Sequence, residues 1–409
     1  MGTPKAAPDT RTTATVILGL CFTLALLGRG SSESFTVFLL PISQDFGWDR
    51  AQVVSIYSLA ALCSGLASPL AGRLFDRLGP RAVYIIGLAL FGAGFSLAAF
   101  ASRLWQFQFC LGIAVGFGLS CLGTVPHSVL LGRWYGRRLP TAMAVVYSAT
   151  GVGVLALLPL SQLLIDRFGW RGAYQVLGVI LLLLIVPLLA MPWPRWAKGD
   201  SAIVSGPAPH LPPSGDWTLW SAVRHHVFWS LFSTFFFTAI GVYAISVQVV
   251  AYLVEAGFPP LQAASAWGFS GVVLVIGMLT ISWLDAIIGR RRAILLSYAM
   301  TSLGLVMLWL LQRYPTLWLL AGFLLFFGST IGSRGPLITA VAMQIFRGKR
   351  AGIIFGSISI GSGLGAALGS WSGGLIHDLS GSYDLVIGFA LVSVWLGMIP
   401  FMTVRALRE

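Results

Sequence analysis

Charged residues are scarce in this chain. Only 10% of its 409 residues are Asp, Glu, Lys or Arg, whereas 57% are hydrophobic. Soluble proteins carry about 25% charged residues, which keep their surfaces hydrated. Thirteen acidic and 26 basic side chains cannot cover a water-facing surface of this size. The composition therefore excludes a soluble Rossmann or barrel enzyme and a disordered protein, and it indicates a chain embedded in lipid.

Motifs for catalysis and metal binding are lacking as well. We find no G-x-x-x-x-G-K-[ST] phosphate loop, nucleophile elbow or metalloprotease helix. The adjacent His225 and His226 are poor metal ligands, because neighbouring residues do not share a helical face. We therefore predict no catalytic residue, no metal and no cofactor. Free thiols in apolar runs behave as small hydrophobic groups, and all four cysteines lie in such runs: Cys21, Cys63, Cys110 and Cys121.

Long apolar runs recur along the whole chain. A membrane-spanning helix needs about 20 apolar residues, and runs without alternation exclude a transmembrane β-barrel. The sequence predicts an all-α integral membrane protein with about twelve spans, near 15–41, 51–72, 82–101, 104–131, 140–165, 172–191, 225–254, 260–284, 293–312, 316–346, 351–376 and 385–404.

One polar stretch, residues 192–224, divides these spans into two groups. Its Pro, Gly and Ser content is typical of a flexible linker. We expect six-helix bundles at 15–191 and 225–404, with short tails at 1–14 and 405–409. Most Lys and Arg residues fall in loops on one side, which predicts a multi-pass plasma (inner) membrane protein with both termini cytoplasmic. The net charge of +13 then reflects basic loops that face anionic lipid of the cytoplasmic leaflet. We therefore expect no nucleic acid partner.

The two predicted bundles repeat one pattern. GRWYGRRLPTAMAVVYSATGVG at 132–153 parallels QIFRGKRAGIIFGSISIGSGLG at 344–365. Each segment is followed by a polar turn, at 163–171 and 374–382. A duplication of six spans is typical of transporters that bind substrate between their halves, near the middle of the membrane.

The loop after the second span carries the pattern G-x-x-x-D-R-x-G-x-R. Its residues are Gly72, Asp76, Arg77, Gly79 and Arg81. The pattern resembles the signature of the major facilitator superfamily, which implies two pseudo-symmetric six-helix bundles. It also implies a conformational latch whose aspartate pairs with cationic groups in the outward-facing state. The alternative is a helix cap beside arginines that face the cytoplasm.

Three further segments, 34–48, 133–153 and 247–271, are similar to the monocarboxylate transporter and oxalate:formate antiporter branch of that superfamily. The similarity implies transport of small organic anions, often with a proton or by exchange.

Charged residues inside the spans are candidate site residues, because burying a charge in lipid is costly. Arg29 and Glu33 lie four residues apart on one helical face. They form either a coupled proton and anion site or a static ion pair. Arg334 has no acidic neighbour in sequence, and its guanidinium suits a carboxylate. It is expected to anchor the substrate anion, or else to pair with Glu33 in a gate.

The superfamily resemblance implies that spans one, four, seven and ten line the cavity. Besides Arg29 with Glu33 and Arg334, these spans carry Gln248, a candidate for substrate binding, and His127. His127 is either a proton relay or a hydrogen-bonded structural histidine. Hydroxyl groups that could donate to substrate belong to Tyr57, Tyr147 and Tyr243.

Together these features predict a secondary transporter, not an enzyme. We expect it to move a small organic anion, most simply a monocarboxylate, with protons and to act as a monomer in the lipid bilayer. One alternative is a proton-driven exporter of cationic or lipophilic compounds, with Glu33 as the cation-binding acid. The other is a membrane sensor or assembly protein that does not transport.

Overall fold

The computed structural model describes residues 10–135, 139–199, 217–346, 351–404 and 407. Helices make up nearly all of these ranges, and no strand occurs in them. The predicted all-α architecture is therefore confirmed for the described part of the chain.

The described residues of the N-terminal half form nine α-helices. They are α1 (Thr10–Glu33), α2 (Phe35–Phe46), α3 (Arg50–Ala98), α4 (Leu104–Phe107), α5 (Val115–Cys121), α6 (Thr124–Tyr135), α7 (Leu139–Leu183), α8 (Ile185–Ala190) and α9 (Trp193–Lys198). A π-helix, Gln108–Ala114, joins α4 to α5.

Within the described ranges, the C-terminal half contains nine more. They are α10 (Leu219–Val223), α11 (His226–Ser246), α12 (Val249–Glu255), α13 (Pro260–Ile288), α14 (Arg290–Arg313), α15 (Leu317–Phe326), α16 (Arg334–Ile345), α17 (Ala351–Ser380) and α18 (Asp384–Thr403). A 3₁₀ turn, Gly328–Thr330, follows α15.

Nine stretches of the described residues are long and apolar enough to cross a membrane. Two of them contain a sharp break, at Gly79 in α3 (φ +78°) and at Gly169 in α7 (φ +68°). Positive φ is accessible to glycine because it lacks a Cβ, so each stretch supplies two spans. With the shorter apolar helix Leu317–Thr330, the described chain contains the twelve spans that the sequence predicts.

In the described part of the chain, five spans are interrupted partway along their length. The first breaks at Ser34, the fourth at 122–123, the sixth at Leu184, the seventh at 247–248 and the tenth between Gly328 and Ser333. Broken helices are tolerated in membranes only where protein or water satisfies the freed backbone groups. All of these breaks except the one in the sixth span lie beside or near a candidate site residue: Glu33, His127, Gln248 and Arg334.

The predicted linker is helical where it leaves each half. Helix α9 is bound to the end of α6, because Trp134 Nε1 donates to the Trp196 carbonyl oxygen (2.9 Å) and Arg133 Nη1 donates to that of Ala197 (2.6 Å). Helix α10 precedes the second half, and residues 200–216 lie outside the described ranges.

The two halves share a buried core at one end only. One apolar cluster joins the N-terminal half to α12 and to the adjoining ends of α13, α14 and α18. A separate cluster fills the opposite end of the C-terminal half, with Phe228, Ile281 and Ile338 among its members. The structure is thus closed between the halves at one end. We call it the Arg50 end, because α3 begins there, and we call the other the Asp76 end.

Glycines allow the halves to approach closely where α3 packs on α17 and α7 packs on α13. A Cβ on Gly271 would overlap the backbone of Gly151 across the α7–α13 contact. A Cβ on Gly374 would lie 3.0 Å from the Cα of Ala51. Small residues at such contacts let helix backbones meet in lipid.

We expect Gly271→Ala to destabilise the protein by about 1–3 kcal/mol, because the added methyl overpacks the α7–α13 contact. The matched control is Gly388→Ala, since Gly388 is helical and nothing lies within 4 Å of its Cβ position. Thermal unfolding in detergent would compare the two. Equal melting temperatures for both variants would contradict the close contact.

Candidate functional site between the two halves

Arg29 lies at the centre of a polar cluster between the halves. Its side chain is solvent-exposed, yet it interacts electrostatically with Glu33, Tyr57, Tyr147 and Tyr243. These residues belong to α1, α3, α7 and α11, so both halves contribute. The structure therefore brings five of the predicted site residues together, and we call them the Arg29 cluster.

Glu33 is held by a tyrosine within this cluster. The Tyr57 hydroxyl donates to Glu33 Oε1 over 3.2 Å. The Tyr57 and Tyr243 rings lie 6.2 Å apart between centroids, and Tyr243 also interacts electrostatically with Glu33, so tyrosines of both halves lie near the carboxylate. Tyr147 is 45% exposed, so the cluster is more accessible to solvent on its side.

The structure does not contain a static ion pair between Arg29 and Glu33. Although the residues are one helical turn apart, no nitrogen–oxygen distance between them is within 4 Å. Within the described ranges, the Arg29 guanidinium makes neither a hydrogen bond nor an ion pair. The cluster therefore presents a free cation and a singly hydrogen-bonded carboxylate to the same space.

Arg334 lies elsewhere, packed on α14 and only 3% exposed. Its Nε donates to Ser297 Oγ (2.9 Å), and its Nη2 donates to the Ser297 carbonyl oxygen (2.8 Å) and to Thr301. The guanidinium also covers the Tyr298 ring at 4.0 Å. No hydrogen-bond partner for Nη1 occurs in the described residues. The alternative pairing with Glu33 is not formed in this structure.

Gln248 and His127 are both buried and do not join the Arg29 cluster. Gln248 Nε2 donates to the Ala244 carbonyl oxygen (3.3 Å), and its Oε1 has no partner among the described residues. His127 Nδ1 is 3.0 Å from the Tyr84 hydroxyl. His127 Nε2 has no partner among the described residues, and both interpretations of this histidine stay predictions.

The latch residues lie where α3 breaks at the Asp76 end. Gly79 supplies the break, and Arg81 Nη2 donates to the Leu189 carbonyl oxygen (3.4 Å). Asp76 and Arg77 are exposed, and neither forms an ion pair with a described residue. A Cβ on Gly72 would lie 3.3 Å from Val125 Cγ1, so this glycine permits close packing of α3 on α6.

A second polar network, centred on Arg50, joins the halves at the other end. Arg50 forms an ion pair with Glu255 of α12 and donates to the Tyr383 hydroxyl before α18. The Asp378 carboxylate of α17 accepts from the backbone N–H groups of Arg50 (3.1 Å) and Ala51 (2.7 Å). Burial raises the pKa of Tyr383 although Arg50 lowers it, so this hydroxyl is neutral. One helix start is thus tied to two helices of the other half and to the turn before a third.

Sequence reasoning missed this network, because it treated Arg50 only as a loop charge. A signal was nonetheless present. Glu255 and Asp378 are acidic residues at the ends of apolar runs, and the predicted topology places both ends on the same side as Arg50. The basic Arg50 of the first half and the acidic Glu255 and Asp378 of the second half therefore share one side of the membrane, which indicates a contact between the halves.

Comparison with known proteins agrees with this architecture. The family model described as Major Facilitator Superfamily matches residues 18–370. The uncharacterized MFS-type transporter YcxA of Bacillus subtilis (strain 168) is 24% identical, over 96% of this chain and 96% of its own.

Two mammalian relatives are similar over nearly the same range. Monocarboxylate transporter 12 of Rattus norvegicus is 28% identical, over 93% of this chain and 84% of its own. Monocarboxylate transporter 3 of the same species is 28% identical, over 92% and 76%. The family match covers most of the chain, and the described helices include the broken spans and the signature loop. This chain is a multi-pass membrane protein that belongs to the major facilitator superfamily of transporters.

Proposed function

We propose that this transporter moves a small organic anion, most simply a monocarboxylate. The observation that carries the proposal is the guanidinium of Arg29, which has no ion-pair partner among the described residues and is exposed between the halves beside tyrosines of both. A free guanidinium at membrane depth needs water or an anion to offset its charge, and it binds carboxylates well. The similarity to two relatives, monocarboxylate transporters 12 and 3, supports the same substrate class.

Glu33 is the proposed proton-coupling residue. It shares its space with Arg29 and has no cationic partner within 4 Å in the described residues. When a substrate carboxylate takes up the charge of Arg29, the Glu33 carboxylate loses that stabilisation and binds a proton more readily. Anion and proton then cross together.

Arg29 is the principal anion anchor in this proposal. Tyr57, Tyr147 and Tyr243 supply hydroxyl groups around the substrate. Arg334 is engaged by α14 in this state, so any contribution of its guanidinium to the anion requires α16 to move.

Alternating access is proposed to proceed by rocking of the halves. The Arg50 network and the shared core close the Arg50 end. At the other end Asp76 carries no ion pair in the described residues, whereas the family resemblance assigns such a pair to the outward-facing state. We infer an inward-facing arrangement of a plasma membrane monomer, in which the Asp76 end and both termini face the cytoplasm.

Uptake by proteoliposomes would test the anion site. We expect Arg29→Gln to lower propionate uptake about tenfold or more, because a charge-assisted hydrogen bond to the carboxylate is lost. Glu33→Gln should make the remaining uptake independent of an imposed pH gradient. The control is Arg167→Gln, since Arg167 is exposed and lies outside the cluster. Undiminished uptake by Arg29→Gln would contradict the anchor role.

A disulfide across the Arg50 end would test the rocking motion. Ser58 Oγ of α3 and Ser370 Oγ of α17 are 2.7 Å apart, so cysteines at both positions lie within bonding reach. We expect oxidation of the double variant Ser58→Cys, Ser370→Cys to abolish uptake and a reductant to restore it. The single variants are the controls. If uptake continued in protein with the disulfide fully formed, the Arg50 end would not need to open.

A further inference from the structure

The Arg29 cluster offers one cation and one anion to the same space, and the two do not form an ion pair within 4 Å. The Arg29 guanidinium is unpaired among the described residues, and Glu33 accepts one hydrogen bond, from Tyr57. A simple carboxylate complements only the Arg29 side of such a site. A ligand that carries both charges complements the two sides together.

The Glu33 side has the features of a site for a cationic group. Its carboxylate supplies the charge, and the Tyr57 and Tyr243 rings lie 6.2 Å apart beside it. Ammonium groups bind favourably to the faces of aromatic rings, more so away from water. One ring comes from each half, so a cation held between them would contact both parts of the transporter.

The spacing of the two charges suits a small ligand. Arg29 and Glu33 are four residues apart on α1, which corresponds to a rise of about 6 Å along a helix. A ligand whose carboxylate and ammonium are separated by one to three carbon atoms could bind both groups. We propose that the site accepts small zwitterions, with the carboxylate on Arg29 and the ammonium on Glu33 between the Tyr57 and Tyr243 rings.

This inference rests on the proposed function and extends it, because it predicts how each substrate class is coupled. A monocarboxylate leaves the Glu33 charge unmatched, so Glu33 takes up a proton and the flux depends on the pH gradient. A zwitterion brings its own positive charge to Glu33, which then stays ionised. Its flux should therefore not depend on the pH gradient.

The test uses the full chain in proteoliposomes with matched pairs of substrates. Glycine, β-alanine and 4-aminobutyrate are compared with acetate, propionate and butyrate, which differ from them only by the ammonium group. We expect at least one zwitterion to be taken up and to compete with its matched carboxylate. An imposed pH gradient should stimulate uptake of the carboxylates but not of the zwitterion.

Two variants test the residues. Glu33→Gln should lower the ratio of zwitterion to carboxylate uptake about tenfold or more, because the charged partner of the ammonium is removed. Tyr243→Leu should lower the same ratio, whereas Tyr243→Phe, which keeps the ring face, should preserve it. If Glu33→Gln does not fold, the comparison of Tyr243→Leu with Tyr243→Phe still tests whether the site binds an ammonium group.

The possible failures are distinguishable. Carboxylate uptake without uptake of, or competition by, any of the three zwitterions would overturn this inference and leave the proposed function intact. Zwitterion uptake that requires the pH gradient as strongly as carboxylate uptake would also overturn it. If neither class were taken up by protein that folds and reconstitutes, the proposed function itself would fail.

Discussion

The contact between Arg50 and the second half is the interaction on which the arrangement of the molecule depends. A single helix start is tied to α12, α17 and the turn before α18. The Asp378 carboxylate accepts from two backbone N–H groups at that start, where the helix dipole favours a negative charge. Because this contact closes one end, the Arg29 cluster lies in a space bounded by the shared core on that side.

The cost of burying charge in lipid explains why the two intramembrane arginines have different surroundings. Arg334 donates to a serine and a threonine of α14 and covers the face of a tyrosine there, so it is held by its own half. Arg29 has no such partners in the described residues and is exposed instead. Of the two guanidinium groups, the exposed one is therefore the group that a ligand can reach in this state.

Much of this fold could be predicted from the sequence, because the signals are local. Apolar runs fix the spans, and Gly79 and Gly169 mark the breaks that separate pairs of them. The grouping of Arg29 with Glu33 follows from their spacing of one helical turn.

The surroundings of Arg334 could not be predicted in this way, because they depend on which face of α16 meets α14. The Arg50 network joins residues more than 200 positions apart, and no periodicity in one sequence reports such a contact.

The binding of α9 to α6 has a consequence for the motion of the halves. Trp134 and Arg133 of α6 donate to carbonyl oxygens of α9, so both partners of each bond belong to the N-terminal half. The proposed rocking of the halves would therefore leave these bonds unbroken, and α9 would keep its place against α6 in either state.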